Sequence, residues 1–124
     1  MVINIDTQKV LIQRLYLADN LWRRLLGLLP CRNLADGEGM LLTPCRGIHT
    51  MFMRFTIDVL YLDHLMRVVA VFPEVKPWRV LPIISEGRHV LEIPSGMLVA
   101  TETVPGHRLY YSNELYLKER FCLK

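Results

Sequence analysis

Four polar residues interrupt the longest apolar, β-prone run of the chain, CRGIHTMFMRFTIDVLYLD from Cys45 to Asp63: His49, Arg54, Asp58 and Asp63. A polar side chain in such a run needs a partner or a ligand, because burying it alone is costly. Arg54, between Met53 and Phe55, is the sharpest case. One reading pairs its guanidinium with a carboxylate on another strand, Asp58 or Glu92. The other leaves it free to clamp a carboxylate or phosphate, with His49, Trp78 and Met51 or Met53 forming an apolar wall. On a fully extended chain Arg54 and Asp58 stand about 13 Å apart, too far to pair. A bulge near Arg54 to Thr56 would shorten that distance and aim both into one concavity. The candidate ligand-binding residues are therefore His49, Met51, Met53, Arg54, Asp58, Trp78 and Glu92.

Other chemistries find less in the sequence. Asp58 or Glu92 acting with His49 would make a hydrolase, the alternative from another class, so the enzyme question stays open. No G-x-S-x-G elbow is present, and Cys45 and His49 are only sequence neighbours. Cys31, Cys45, His64, His89 and His107 supply metal-ligand types, but no C-x-x-C or H-x-x-x-H pair occurs, and no metal site is expected. No cofactor is assigned. A third reading is a protein-interaction module working through sheet edges or the Pro73–Pro82 loop.

The elements that would position these residues follow from alternation and breakers. Met51, Met53, Phe55, Ile57, Val59 and Tyr61 share one face of an extended chain; Phe52, Arg54, Thr56, Asp58, Leu60 and Leu62 share the other. The first face is wholly core-like, and the length implies two strands or a bulged one. Residues 2–5 and 9–17 read as a hairpin or two short strands. Asp19 or Asn20 can cap a helix through LWRRLLGLL that Pro30 ends. Met40 to Thr43, Arg67 to Phe72 and Arg88 to Ile93 read as strands. Three prolines make Pro73 to Pro82 an extended loop, with Trp78 as a lid on the core or part of a binding rim. Ser95 can cap a short helical turn reaching about Thr103. Pro105-Gly106 is a turn, Arg108 to Tyr111 a last strand, and the tail 112–124 reads as either helix or strand.

With 124 residues, 52% hydrophobic and 22% charged, the chain is a single globular domain over 1–124 rather than a disordered segment. No stretch approaches the roughly 18 apolar residues of a membrane span. The start, MVINIDTQKV, lacks a signal-peptide pattern, so a cytoplasmic location is expected, with the three cysteines reduced. The net charge is +3 and the arginines are scattered along the sequence, so neither nucleic acid nor membrane is expected as a partner.

RRLLGLL, GEGMLL, IHTMFMRFTIDVLYLD, RVVAVFPEVKP, VLEIPSG and a closing Pro-Gly turn, in this order, resemble the domain of unknown function 192 family over about residues 9–111, with 112–124 as a C-terminal extension. The resemblance implies a compact, mostly β, partly barrel-like domain and no established activity. The family's pattern falls on Gly27, Gly39, Met40, His49, Met53, Arg54, Asp58, Asp63, Pro77, Leu91, Glu92 and Gly96. Phe55-Thr56 departs from a stretch that often holds proline, and Gly106-His107 stands where Gly-Asp is usual. Many members also carry an export signal that is not seen here. The fold expected is α+β, mostly β, a mixed barrel-like sheet with one or two short helices. The function expected is a small-ligand or peptide-binding accessory protein with an Arg/His/Asp concavity, its partner a small anionic ligand or a protein.

Overall fold

The computed structural model describes residues 1–19, 31–112 and the strand residues 116–117. The helix expected through LWRRLLGLL and most of the tail lie outside the described residues.

The described chain is built mainly of strands. β1 (Val2–Asn4) and β2 (Lys9–Ile12) form an antiparallel hairpin, and β8 (Leu109–Tyr111) adds to its other side in a three-stranded sheet. The larger sheet contains β3 (Arg14–Ala18), β4 (Glu38–Leu42), β5 (Ile57–Leu62), β6 (Val68–Val75), β7 (His89–Pro94) and β9 (Tyr116–Leu117). Its order is β6-β5-β7-β4-β3-β9. β3 runs parallel to β4 and β9 while the other pairs are antiparallel, so the sheet is mixed. One helical turn, α1 (Met97–Ala100), follows β7.

The two sheets are not closed into a barrel, but two corners join them. β2 and β3 are separated only by Gln13. At the other corner Arg67 bridges Arg108, and the Val68 N–H donates to the His107 carbonyl at 2.8 Å. Between the sheets lies a core that draws Val2, Leu11, Ile12 and Leu109 from the small sheet and Leu15, Leu41, Leu60, Leu91 and Ile93 from the large one. A Cβ on Gly39 would run into the Ile12 side chain, so glycine is what lets β2 pack this tightly on β4. A second core covers the opposite face of the large sheet, with Met53, Ile57, Val59, Tyr61, Val90, Met40 and Leu42.

The central run behaves as its alternation predicts from Ile57 onward. Ile57, Val59 and Tyr61 enter the second core together with Met53 and Phe55, while Leu60 and Leu62 enter the first. Upstream of Ile57 the chain does not form a sheet strand. It makes bends, a turn and one isolated bridge, His49 to Val80.

Three local readings are corrected. β6 runs through Pro73 to Val75, which proline permits because β6 is the edge strand and its register slips opposite Ile57 to Val59, with Glu74 at φ 50. Ser95 does not cap α1; Gly96 at φ 95 precedes the helix and no side chain of its own caps it. Cys31 is disulfide-bonded, whereas Cys45 keeps its thiol, so the expectation of fully reduced cysteines fails at Cys31.

Candidate functional site

Asp58 is buried, and its partners are backbone N–H groups rather than Arg54. Its Oδ1 accepts the N–H of Glu74 at 2.8 Å, the residue of the β6 bulge. Its Oδ2 accepts the N–H groups of Gly96 at 3.1 Å and Leu98 at 2.8 Å. One carboxylate thus satisfies a bulge on one side and the open start of α1 on the other, doing what a local cap residue would otherwise do. The expected Arg54–Asp58 partnership is therefore absent. Arg54 is exposed and pairs with no described residue.

Glu92 lies on the other face of the sheet. Its cross-strand neighbours are Met40 on β4 and Val59 on β5, both in the second core. Asp58 pairs across to Ile93 of the first core, so the two carboxylates point to opposite sides. Glu92 is buried, only 4% exposed. Burial without a compensating charge pushes its carboxyl up to about 8, so it is mostly protonated at neutral pH. His49, the base that a hydrolase would require, is exposed, and its Nδ1 accepts the Met51 N–H at 3.2 Å. These three groups do not converge.

What does converge is a pair of loops. Thr50 is fully buried and staples them. Its N–H donates to the Arg79 carbonyl and its carbonyl accepts from Trp78, at 2.8 and 3.0 Å. Its Oγ1 donates to the Lys76 carbonyl at 2.6 Å and accepts the Arg79 N–H at 2.9 Å. Farther along, Leu81 donates to Ile48, Ile84 to Arg46 and Cys45 to Arg88. Residues 45–54 and 76–88 therefore zip into an irregular two-stranded ribbon. The Tyr61 hydroxyl ties it to the sheet by donating to the Pro82 carbonyl at 2.8 Å, and burial raises that phenol to about 12. Cys45 Sγ donates to the Gly47 carbonyl within the same ribbon.

The ribbon has two sides. Ile48, Cys45, Leu81 and Ile84 pack against the second core, and Met53 is part of it. The outer side carries Phe52, Trp78, Val80 and Ile83, which are 68, 52, 78 and 82% exposed. Phe52 and Trp78 both sit at φ 67, in the left-handed region that bulky residues rarely adopt, and their rings meet at a tilt of 57° with centroids 4.6 Å apart. Met51 is half-buried beside them. Arg46, Arg54, Lys76, Arg79 and Arg88 are exposed along the same two segments, with Glu86 as the lone carboxylate there.

Of the candidate residues, the structure thus gathers His49, Met51, Arg54 and Trp78 on the ribbon and places Met53 beneath it. It sends Asp58 and Glu92 into the two cores. Thr50, Phe52, Arg79, Val80 and Ile83 were missed by sequence reasoning. Their positions depend on pairing between segments about 30 residues apart, and no local pattern announces it.

A second polar cluster lies at the corner between the sheets. Asn4 is fully buried; its Oδ1 accepts the N–H groups of Asp6 and Thr7, so its amide nitrogen faces Thr103 Oγ1 at 3.0 Å and His107 Nδ1 at 3.1 Å. His107 must accept there. It fills the acceptor role that an acidic side chain could also fill at this turn, so the departure at Gly106-His107 keeps the hydrogen bond.

Fold and ribbon together define a small, two-sheet, mixed-β domain whose conspicuous surface is aromatic and basic. The chain belongs to the DUF192 family, described as uncharacterized ACR, which matches residues 1–111. No curated protein matches it in sequence. A crystal structure of a protein of unknown function from Novosphingobium aromaticivorans is similar, with a TM-score of 0.79 and 21% identity over 89% of this chain and 82% of that one. A proposed transcription regulator from Sinorhizobium meliloti is also similar, with a TM-score of 0.68 and 23% identity over 77% of this chain and 79% of that one. At these identities the likeness is one of fold.

Proposed function

We propose that this domain is a binding module, and that its site is the outer side of the ribbon rather than a closed Arg/His/Asp concavity. The observation that carries the reading is the tilted ring contact of Phe52 and Trp78, both exposed and in strained backbone beside the buried Thr50 staple. Strain of this kind costs on the order of 1–3 kcal/mol per residue and is typical of functional surfaces. Arg54 and Arg79 flank that pair with free guanidinium groups, which suit a carboxylate or phosphate. The ligand class is therefore a small anion or an acidic peptide.

The catalytic alternative loses support, because Asp58 is occupied by three N–H groups, and Glu92 is buried among second-core residues while His49 is exposed. Among the described residues no helix is long and apolar enough to cross a membrane. The disulfide at Cys31 speaks against a cytoplasmic location, since disulfides persist mainly in oxidising compartments.

Thermal unfolding with inorganic phosphate, citrate and a short acidic peptide tests the binding reading. A ligand at 100 times its Kd stabilises by about 2.7 kcal/mol, a shift of several degrees. The shift should vanish in Arg79→Ala and Arg54→Ala, whose exposed side chains leave the unliganded melting temperature unchanged. No shift with any of these anions would refute the reading.

A further inference from the structure

We infer that the outer side of the ribbon docks onto an anionic lipid bilayer, with Phe52, Trp78, Val80 and Ile83 entering the interface and the surrounding cations resting on the headgroups. The inference rests on the ribbon being the binding surface and names its partner. A soluble anion accounts for Arg54 and Arg79 but leaves two aliphatic side chains without a purpose. Val80 and Ile83 project almost completely into water, more than any other large apolar residue described. They lie on the side opposite Leu81 and Ile84, which pack on the core. Two exposed aromatic and two exposed aliphatic side chains on one ribbon are suited to the boundary between headgroups and acyl chains, where tryptophan is favoured.

Charge supplies the second, independent argument. The ribbon segments carry five arginine and lysine residues against Glu86 alone, whereas the other ten in the chain face eleven carboxylates. The net positive charge of the protein is thus concentrated in the two ribbon segments that carry the apolar side chains. A polybasic rim beside buried apolar area is the pairing that gives stable peripheral attachment to anionic lipid, where neither contribution suffices alone. Single-stranded nucleic acid would use the cations and the rings, but it has no use for Val80 and Ile83.

Sedimentation of the full chain with phosphatidylcholine vesicles, and with vesicles containing about a third phosphatidylglycerol, tests the inference. Binding is expected to the anionic vesicles, to weaken with added salt, and to fall about fivefold for each of Arg46, Arg79 and Arg88 changed to alanine. The double variant Val80→Ser/Ile83→Ser, altered only at exposed positions, should lose binding while keeping its melting temperature and its response to phosphate. Absence of pelleting, or equal pelleting of the double variant, overturns the bilayer assignment. If phosphate or the acidic peptide still raises the melting temperature in that case, the binding reading stands and only the lipid partner falls. A single-stranded oligonucleotide bound more tightly than the vesicles would overturn the assignment in favour of nucleic acid.

Discussion

At the scale of single residues, Asp58 and Arg54 exchange the roles that their sequence context suggests. Arg54 sits among apolar neighbours and looks as though it must be neutralised, but the backbone upstream of Ile57 is irregular and turns its side chain to solvent. Asp58 lies inside β5 and could have been a ligand group, yet its oxygens are taken by the N–H groups of Glu74, Gly96 and Leu98. Replacing Asp58 by alanine strands three amide donors, two of them beside the first core. Hydrogen bonds to a charged group contribute about 1.5–3 kcal/mol each, and unsatisfied buried donors add to the loss. Asp58→Ala should therefore cost at least about 3 kcal/mol in urea denaturation, whereas Arg54→Ala should change stability by less than about 0.5 kcal/mol. Comparable losses in the two variants would reinstate the ion pair. That polar residues were needed in this run was legible in the sequence. Which of them serves the fold was not, because Asp58's partners are backbone groups 16 to 40 residues away.

At the scale of elements, the strands were legible where alternation or a continuous apolar run determines pairing. β7 lies within one residue of its expected bounds, as does the start of β6, and the two faces of β5 feed the two cores as the period of two requires. The ribbon was not legible, since its pairing rests on irregular backbone hydrogen bonds and the Thr50 hydroxyl rather than on a hydrophobic pattern. Thr50 Oγ1 both donates and accepts, and a methyl group in its place can do neither. Thr50→Val keeps the shape and removes those bonds, leaving the Arg79 N–H and the Lys76 carbonyl unmet at a cost of about 1–3 kcal/mol. The expected result is local: faster amide exchange at Arg79 and Trp78, with the protection of β5 and β7 retained. Unchanged exchange at these positions would mean that the ribbon is held by its other contacts and that Thr50 is incidental. The same variant should weaken anion binding, because Phe52 and Trp78 would be released from φ 67.

The behaviour of the whole molecule against pH turns on two groups with opposite signs. Glu92 has a folded value near 8 against 4.5 for an ordinary glutamate, caused by burial between Met40 and Val59. Its folded form holds the proton more tightly than the unfolded chain does. The stability it permits is complete below pH 4.5 and declines as pH rises to about 8, where the fold must ionise a carboxyl in an apolar core. His89 runs the other way. Burial lowers its imidazole, and nearby Arg88 lowers it further, so its contribution is intact above pH 6.5 and is lost on acidification. The imidazole is about half-buried and its effect is screened, whereas Glu92 is enclosed, so the carboxyl dominates the curve. Stability should therefore peak at mildly acidic pH and drop by a few kcal/mol towards pH 8. Glu92→Gln supplies the direct check through urea midpoints at pH 5.5 and pH 8. Glutamine keeps the size and never ionises, so the variant should match the wild type at the lower pH and exceed it at the higher. A wild-type midpoint that stays level or rises between those values would show that Glu92 is charged in the fold and has found a cation or solvent to hold it.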